Sequence, residues 1–334
     1  MKINNKFSIG CLIQWYEIEL IGEYLQSVRD AVDVIDNKEN VVIDLYFNFS
    51  QELEKIDEEQ MTISAIKRKY NDLLKNIFGD LDYGVYNVNS YINNFSNVMY
   101  TIADYRREFN EKYCEQVDIL MWGESDCLIP RQTFEILDNL HSSVKNSTPK
   151  YLSFFGTCKM WDNTWLPVEH TEFTDKPFID GDTKNWWSLR YDMNIDKMNE
   201  INDKTDELDV RIVSPHKFNG CGLVISSEVI KAGVNIPKSV FFIHEDTAFM
   251  HMTNKVLGDI PQYIIKNILL VHNRKHKDKR KYILGEGNLS DKDPGGKRLT
   301  HDWYMKANKM CEQNYINLFN PNYKSYTWGD VFDD

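Results

Sequence analysis

The sequence predicts an α/β protein with a mixed, mostly parallel central sheet, flanked by helices and interrupted by helical and loop insertions. Three observations carry that expectation: a strand, loop, helix and strand opening; apolar runs that close in polar clusters at Glu124–Asp126, Glu245–Asp246 and His272; and helix-patterned segments between those runs. Alternation of strand and helix is the pattern of a sheet covered by helices.

Phe7–Ile13 is an apolar run of strand length, followed by the loop Gln14–Glu17 and by Leu20, Ile21, Tyr24, Leu25 and Val28 at helical spacing. Val41–Phe47 supplies a second strand that ends at Asn48–Ser50. A crossover of this kind makes the two strands parallel and brings their polar ends to one edge. The Gln14–Glu17 loop has no glycine-rich phosphate fingerprint, which argues against a dinucleotide-binding or Walker-type site.

Residues 51–79 are charged and helix-favouring, with Leu53, Ile56, Met61, Ile66, Tyr70, Leu73, Leu74 and Ile77 at mostly helical spacing and Gly79 as a stop. They read as an inserted helical excursion. A polar, Asn-rich segment (87–97) and a helix over 99–112 follow. That helix carries Asp104, Arg106 and Arg107, either as a solvated, ion-paired face or with one arginine turned to a ligand.

The chain is organised around Val117–Pro130, an apolar run ending in Glu124 and Asp126. If the extended conformation persists, alternation places both carboxylates on one face, at the strand end where open α/β sheets bind ligands. The other reading is a polar turn that caps a helix starting near Pro130–Gln132. Beyond it come a helix (132–144), a strand (150–155), and some sixty irregular, aromatic and acidic residues with Trp161, Trp165, Trp186 and Trp187. Excursions of that length are usually functional or mobile, and the tryptophans either stack on a sugar or base or pack in the core.

Phe218–Gly233 reads as a strand behind two glycines that allow close backbone approach, then a helix. Val240–Met252 runs from an apolar stretch into a helix at Glu245–Asp246, whose N-terminus favours ionised carboxylates. Those residues serve as N-caps or as a general base. Asn267–His272 is a strand that releases a basic run, and His272 is either structural or, beside two carboxylates, part of a mixed oxygen and nitrogen site for Mn²⁺ or Mg²⁺.

Composition narrows the classes. The net charge of −12 argues against indiscriminate coating of nucleic acid, yet residues 271–300 hold nine Lys/Arg against four Asp/Glu, a local +5 that leaves −17 elsewhere. Such a patch suits a diphosphate or a polyphosphate backbone. The six cysteines, at 11, 114, 127, 158, 221 and 311, form no Cys-x-x-Cys pair and read as reduced core residues rather than a zinc site or a disulfide framework. No apolar run approaches the roughly 18 residues of a membrane span, and Met1–Phe7 shows no signal-peptide pattern, so a cytoplasmic protein without a membrane partner is expected.

The ordered set of the strand–loop–helix start, Glu124-Ser125-Asp126, the Gly220-Cys221-Gly222 strand, Glu245-Asp246 and His272 resembles the GT-A fold glycosyltransferases over roughly residues 6–275. The resemblance implies a GT-A-like fold with a nucleotide-sugar half (1–130) and an acceptor and catalytic half (131–275). Beyond it, residues 276–334 read as a basic, helical C-terminal extension whose Gly285–Gly287 and Asp293–Gly296 turns form a lid or ordinary surface turns. The resemblance implies Asp126, His272 and Glu124 as metal ligands, Asp246 as the base with Glu245 beside it, and Gln14, Asn48, Asp104, Arg107, Glu124 and Lys275 around the donor. Glu124 departs from the family's usual Asp. The implied reaction is metal-dependent, inverting transfer of a sugar from a nucleotide sugar, UDP-linked by family frequency, to an acceptor hydroxyl. For the acceptor, hydroxymethylated bases of double-stranded phage DNA, with Trp186 or Trp187 stacking on an extruded base, stand beside a polysaccharide or protein; a non-catalytic nucleotide- or carbohydrate-binding module is the remaining class.

Overall fold

The computed structural model describes residues 1–14, 17, 21–50, 63–79, 81, 86–93, 99–157, 159–161, 167–169, 193–213, 220–272 and 302–332. The strands are β1 (Phe7–Gln14), β2 (Val41–Ser50), β3 (Tyr86–Asn93), β4 (Ile119–Trp122), β5 (Cys127–Leu128), β6 (Leu152–Gly156), β7 (Lys159–Trp161), β8 (Pro167–Glu169), β9 (Val210–Val213), β10 (Val224–Ser226), β11 (Gln262–Leu269) and β12 (Val271–His272). The helices are α1 (Ile21–Asp33), α2 (Ile63–Phe78), α3 (Ile102–Tyr113), α4 (Thr133–Val144), α5 (Ile195–Asn202), α6 (Ser227–Lys231), α7 (Glu245–Leu257), α8 (Asp302–Ile316) and α9 (Trp328–Phe332).

Eight strands form one sheet in the order β3-β2-β1-β4-β10-β6-β11-β9. β3, β2, β1 and β4 are parallel neighbours, β10 runs antiparallel between β4 and β6, and β11 is parallel to β6 with β9 antiparallel at the edge. The α/β class and the mixed, helix-flanked sheet are as the sequence predicts. So is the opening crossover, with Gln14 and Asn48 in register at the same edge.

β1 is buried on both faces because each is covered by helices. Ile9, Cys11 and Ile13 belong to one core with Tyr24, Leu25 and Val28 of α1, Ile66 and Tyr70 of α2, and Phe134 and Leu137 of α4. Leu12 belongs to the opposite core, with Tyr105 and Phe109 of α3, Val229 of α6 and Phe249 of α7. Gly10 sets the spacing of that second layer: a Cβ there would meet the Phe109 ring and the Tyr105 hydroxyl at 2.6 Å. The result is a three-layer core with the C-terminal ends of its parallel strands at one edge.

Several segments depart from the sequence reading. The Asn-rich stretch includes the edge strand β3, parallel to β2. Its regular backbone pairing overrides the low strand propensity of asparagine. The expected irregular stretch after β6 contains β7 paired with β8, helix α5 and strand β9. The run before Glu245 is not a strand; Phe241 packs instead with Ala307, Cys311, Trp328 and Val331 of the C-terminal helices. Asn314 fastens that extension by donating to the carbonyls of Ser239 and Tyr326 at 2.7 and 2.9 Å. No described helix is long and apolar enough to cross a membrane. The basic strip Arg274–Arg298, Lys275, Trp165, Trp186, Trp187 and both glycine-rich turns lie outside the described residues.

Candidate functional site

The site starts where β4 ends. After Trp122 the chain leaves the sheet, and Gly123 donates to the Gly10 carbonyl at 2.7 Å. A Cβ on Gly123 would sit 3.1 Å from that carbonyl and overlap the Tyr24 hydroxyl, so only glycine makes this passage. The extended conformation does not continue: the backbone turns at Ser125–Asp126, and Cys127 donates to the Glu124 carbonyl at 3.0 Å. β5 then pairs antiparallel with β12, Cys127 opposite His272 and Leu128 opposite Val271. This short ribbon, rather than strand alternation, brings the imidazole to the carboxylates.

His272 Nε2 lies 3.5 Å from Asp126 Oδ1 and 3.6 Å from Glu124 Oε2. That nitrogen is buried without a hydrogen-bond partner among the described residues. Asp126 is buried at 1% exposure, while the Glu124 side chain keeps 27% and so opens to solvent. Cys221, between Gly220 and Gly222, joins them: one donor atom each from Glu124, Cys221 and His272 lies within 4.8 Å of the others. Sequence reasoning read Cys221 as core because nothing in its spacing marks a ligand. Burial pushes its thiol well above the ordinary range, and its hydrogen-bond partner is the Cys127 thiol.

Arg106 ties this cluster to the second carboxylate pair. It donates to Glu124 Oε1 at 2.8 Å and to Glu245 Oε1 at 2.7 Å, while its guanidinium carbon lies 4.6 Å from the centre of the Trp122 ring. Burial opposes the cation, but Glu245, Glu124 and Asp246 outweigh it and hold Arg106 above its usual range. Glu124 is likewise opposed by burial, yet Arg106 and His272 hold its carboxyl below the ordinary value.

Glu245 behaves oppositely. Burial and the neighbouring Asp246 push it up to about 7, although Arg106 pulls it down. Burial and Asp246 thus act against the preference for the ionised form expected at the α7 N-terminus. Asp246 is less buried; its Oδ1 accepts from the Thr247 amide at 2.6 Å, and its Oδ2 would lie 2.5 Å from a Cβ on Gly220. Residue 220 must be small for Asp246 to stand there. His244, just before this pair, has φ 66°, a left-handed backbone uncommon outside glycine; its Nε2 lies 3.2 Å from Asn308 Oδ1 of α8.

The remaining expected residues sit differently. Asp104 closes the first turn of α3, accepting from the Thr101 amide at 3.0 Å and pairing with Arg107 at 2.9 Å. Arg107 donates to the carbonyls of Ile236, Pro237 and Val240, so it fastens the segment before α7. Arg106 is the arginine placed among the carboxylates. Gln14 and Asn48 lie at the C-terminal strand edge: Asn48 donates to the Tyr100 carbonyl at 3.2 Å, and the Gln14 side-chain oxygen is buried without a hydrogen-bond partner among the described residues.

No protein-family model matches the chain, and no curated protein sequence matches it. Solved structures align with it at low identity. Glucosyl-3-phosphoglycerate synthase from Mycobacterium tuberculosis, solved with Mg²⁺ and UDP, aligns with a TM-score of 0.40 at 10% identity over 84% of this chain and 75% of that one. A mycobacterial protein aligns at 0.37 and 10% identity over 83% and 70%. Mannose-1-phosphate geranyltransferase from Thermus thermophilus aligns at 0.32 and 8% identity over 78% and 74%.

Proposed function

We propose that the chain is a metal-dependent, inverting glycosyltransferase that moves a sugar from a nucleotide sugar, UDP-linked, to an acceptor hydroxyl. One observation carries this reading: carboxylates and an imidazole converge at the C-terminal edge of parallel strands and are joined through Arg106 to Glu245, beside Asp246. The donor set fits a divalent cation, since the buried His272 Nε2, without a hydrogen-bond partner among the described residues, faces two carboxylates. Asp126, His272 and Glu124 would hold the ion, which would neutralise charge on the departing diphosphate.

The chain's own groups do the rest. The edge at Gln14 and Asn48 receives the nucleotide, and the Gln14 side-chain oxygen, without a hydrogen-bond partner among the described residues, offers an acceptor to it. Arg106 keeps Glu124 ionised and in place. Asp246, the more open carboxylate of its pair, takes the proton of the acceptor hydroxyl. The acceptor oxygen bonds to the anomeric carbon as the bond from that carbon to the diphosphate oxygen breaks.

The acceptor reading rests on the charge of residues 271–300: a strip with nine Lys/Arg suits DNA phosphates, and hydroxymethylated bases in phage DNA supply the hydroxyl. The test is twofold. Titration calorimetry with UDP should show binding that requires Mn²⁺ or Mg²⁺ and is lost in Asp126→Ala; metal-independent binding indifferent to that change would reject the site. Mass analysis of hydroxymethylcytosine DNA, incubated with a panel of nucleotide sugars, should show added hexose that falls steeply with salt. Transfer only to oligosaccharide or protein, indifferent to salt, would reject the DNA acceptor, and UDP binding without any transfer would point to a binding module.

A further inference from the structure

We propose that Cys221 is a ligand of the cation held by Glu124 and His272, so that this site takes a thiophilic transition ion of the Zn²⁺ or Co²⁺ class in preference to Mg²⁺. The inference rests on the metal-site reading above and assigns it a sulfur donor. Glu124, Cys221 and His272 offer an oxygen, a sulfur and a nitrogen within 4.8 Å of one another. Asp126 joins them through its 3.5 Å approach to His272 Nε2.

Two further observations fix the sulfur there. Gly222 has φ +75°, and a Cβ on it would strike Leu270 Cδ1 at 2.5 Å, so the backbone carrying Cys221 is pressed against the strand that leads to His272. Cys127, register partner of His272, is hydrogen-bonded to the Cys221 thiol. The thiol is thus held by the same ribbon that delivers the imidazole. A set of carboxylate, imidazole and thiolate is a poor match for Mg²⁺, which asks for octahedral oxygen, and a good one for ions that accept sulfur and lower coordination. Mn²⁺ stands between them.

The ion alone provides the test. Co²⁺ added to the protein should produce visible d–d bands together with a near-ultraviolet sulfur-to-cobalt charge-transfer band. Mg²⁺ in large excess should leave that band in place, and Zn²⁺ should abolish it. The band should disappear in Cys221→Ser and persist in Cys127→Ser. Wild-type protein that binds Co²⁺ without the charge-transfer band overturns the proposal with no variant needed, as does a band that survives in Cys221→Ser or is removed by Mg²⁺. The spectrum requires no nucleotide. A thiolate band without UDP binding therefore upholds the sulfur ligand while removing the transferase reading, and Mg²⁺-supported UDP binding without the band does the reverse.

Discussion

Arg106 donates to Glu245 at 2.7 Å across 139 residues of chain, and that bond fastens the N-terminus of α7 to the middle of α3. Because the same guanidinium holds Glu124, removing it leaves two carboxylates in a buried site without their cation. Losing one partner of a buried ion pair costs about 3–5 kcal/mol. Arg106→Met should therefore lower stability by about that much in urea denaturation. Arg106→Lys should restore part of it, since a single ammonium lacks the planar fork that reaches both carboxylates.

Glu245 gives the protein a pH signature. Its folded pKa is raised to about 7 from 4.5, so the folded state binds this proton more tightly than the unfolded chain does. Stability associated with the group is fully present below about 4.5, is lost as pH rises towards 7, and levels off above that. Glu245→Gln should flatten this fall, so that in chelator-treated protein the variant gains on wild type between pH 5 and pH 8 in denaturant midpoint. An unchanged difference between the two pH values would contradict the raised pKa.

Asp246 and Glu245 are adjacent but separable. Asp246→Asn should leave UDP affinity in calorimetry close to wild type while lowering turnover by about 10²–10⁴-fold, the range for a lost general base. Near-normal turnover would remove Asp246 from that role.

Gly123→Ala should be costly although the residue carries no chemistry. Its methyl would overlap the Tyr24 hydroxyl and crowd the Gly10 carbonyl. Overpacking of this kind costs about 1–3 kcal/mol. Since relief requires moving the turn that bears Glu124, thermal unfolding and Mn²⁺-dependent UDP binding should weaken together; a loss of stability alone would mean that the turn absorbs the strain elsewhere.

His272→Ala should weaken divalent-ion binding, read by titration of the ion without nucleotide, while changing stability little. The imidazole is half-buried at the end of a two-residue strand, and its Nε2 makes no hydrogen bond among the described residues.

The α/β class, the opening crossover and the polar positions that end the apolar runs are legible in the sequence. Period-2 and helical patterns are local properties, and burial of β1 between two helix layers enforces them. The sequence also names Glu124, Asp126, His272, Glu245 and Asp246, which the fold gathers around Arg106 and the β5–β12 ribbon. Which arginine of the adjacent pair turns inward depends on packing, because helix rotation against the sheet sends Arg107 to the carbonyls of 236–240 and Arg106 to the carboxylates. The same holds for Cys221 and for the raised pKa of Glu245. Both depend on what a distant segment places within a few ångströms, and neither ligand convergence nor desolvation has a sequence period to read.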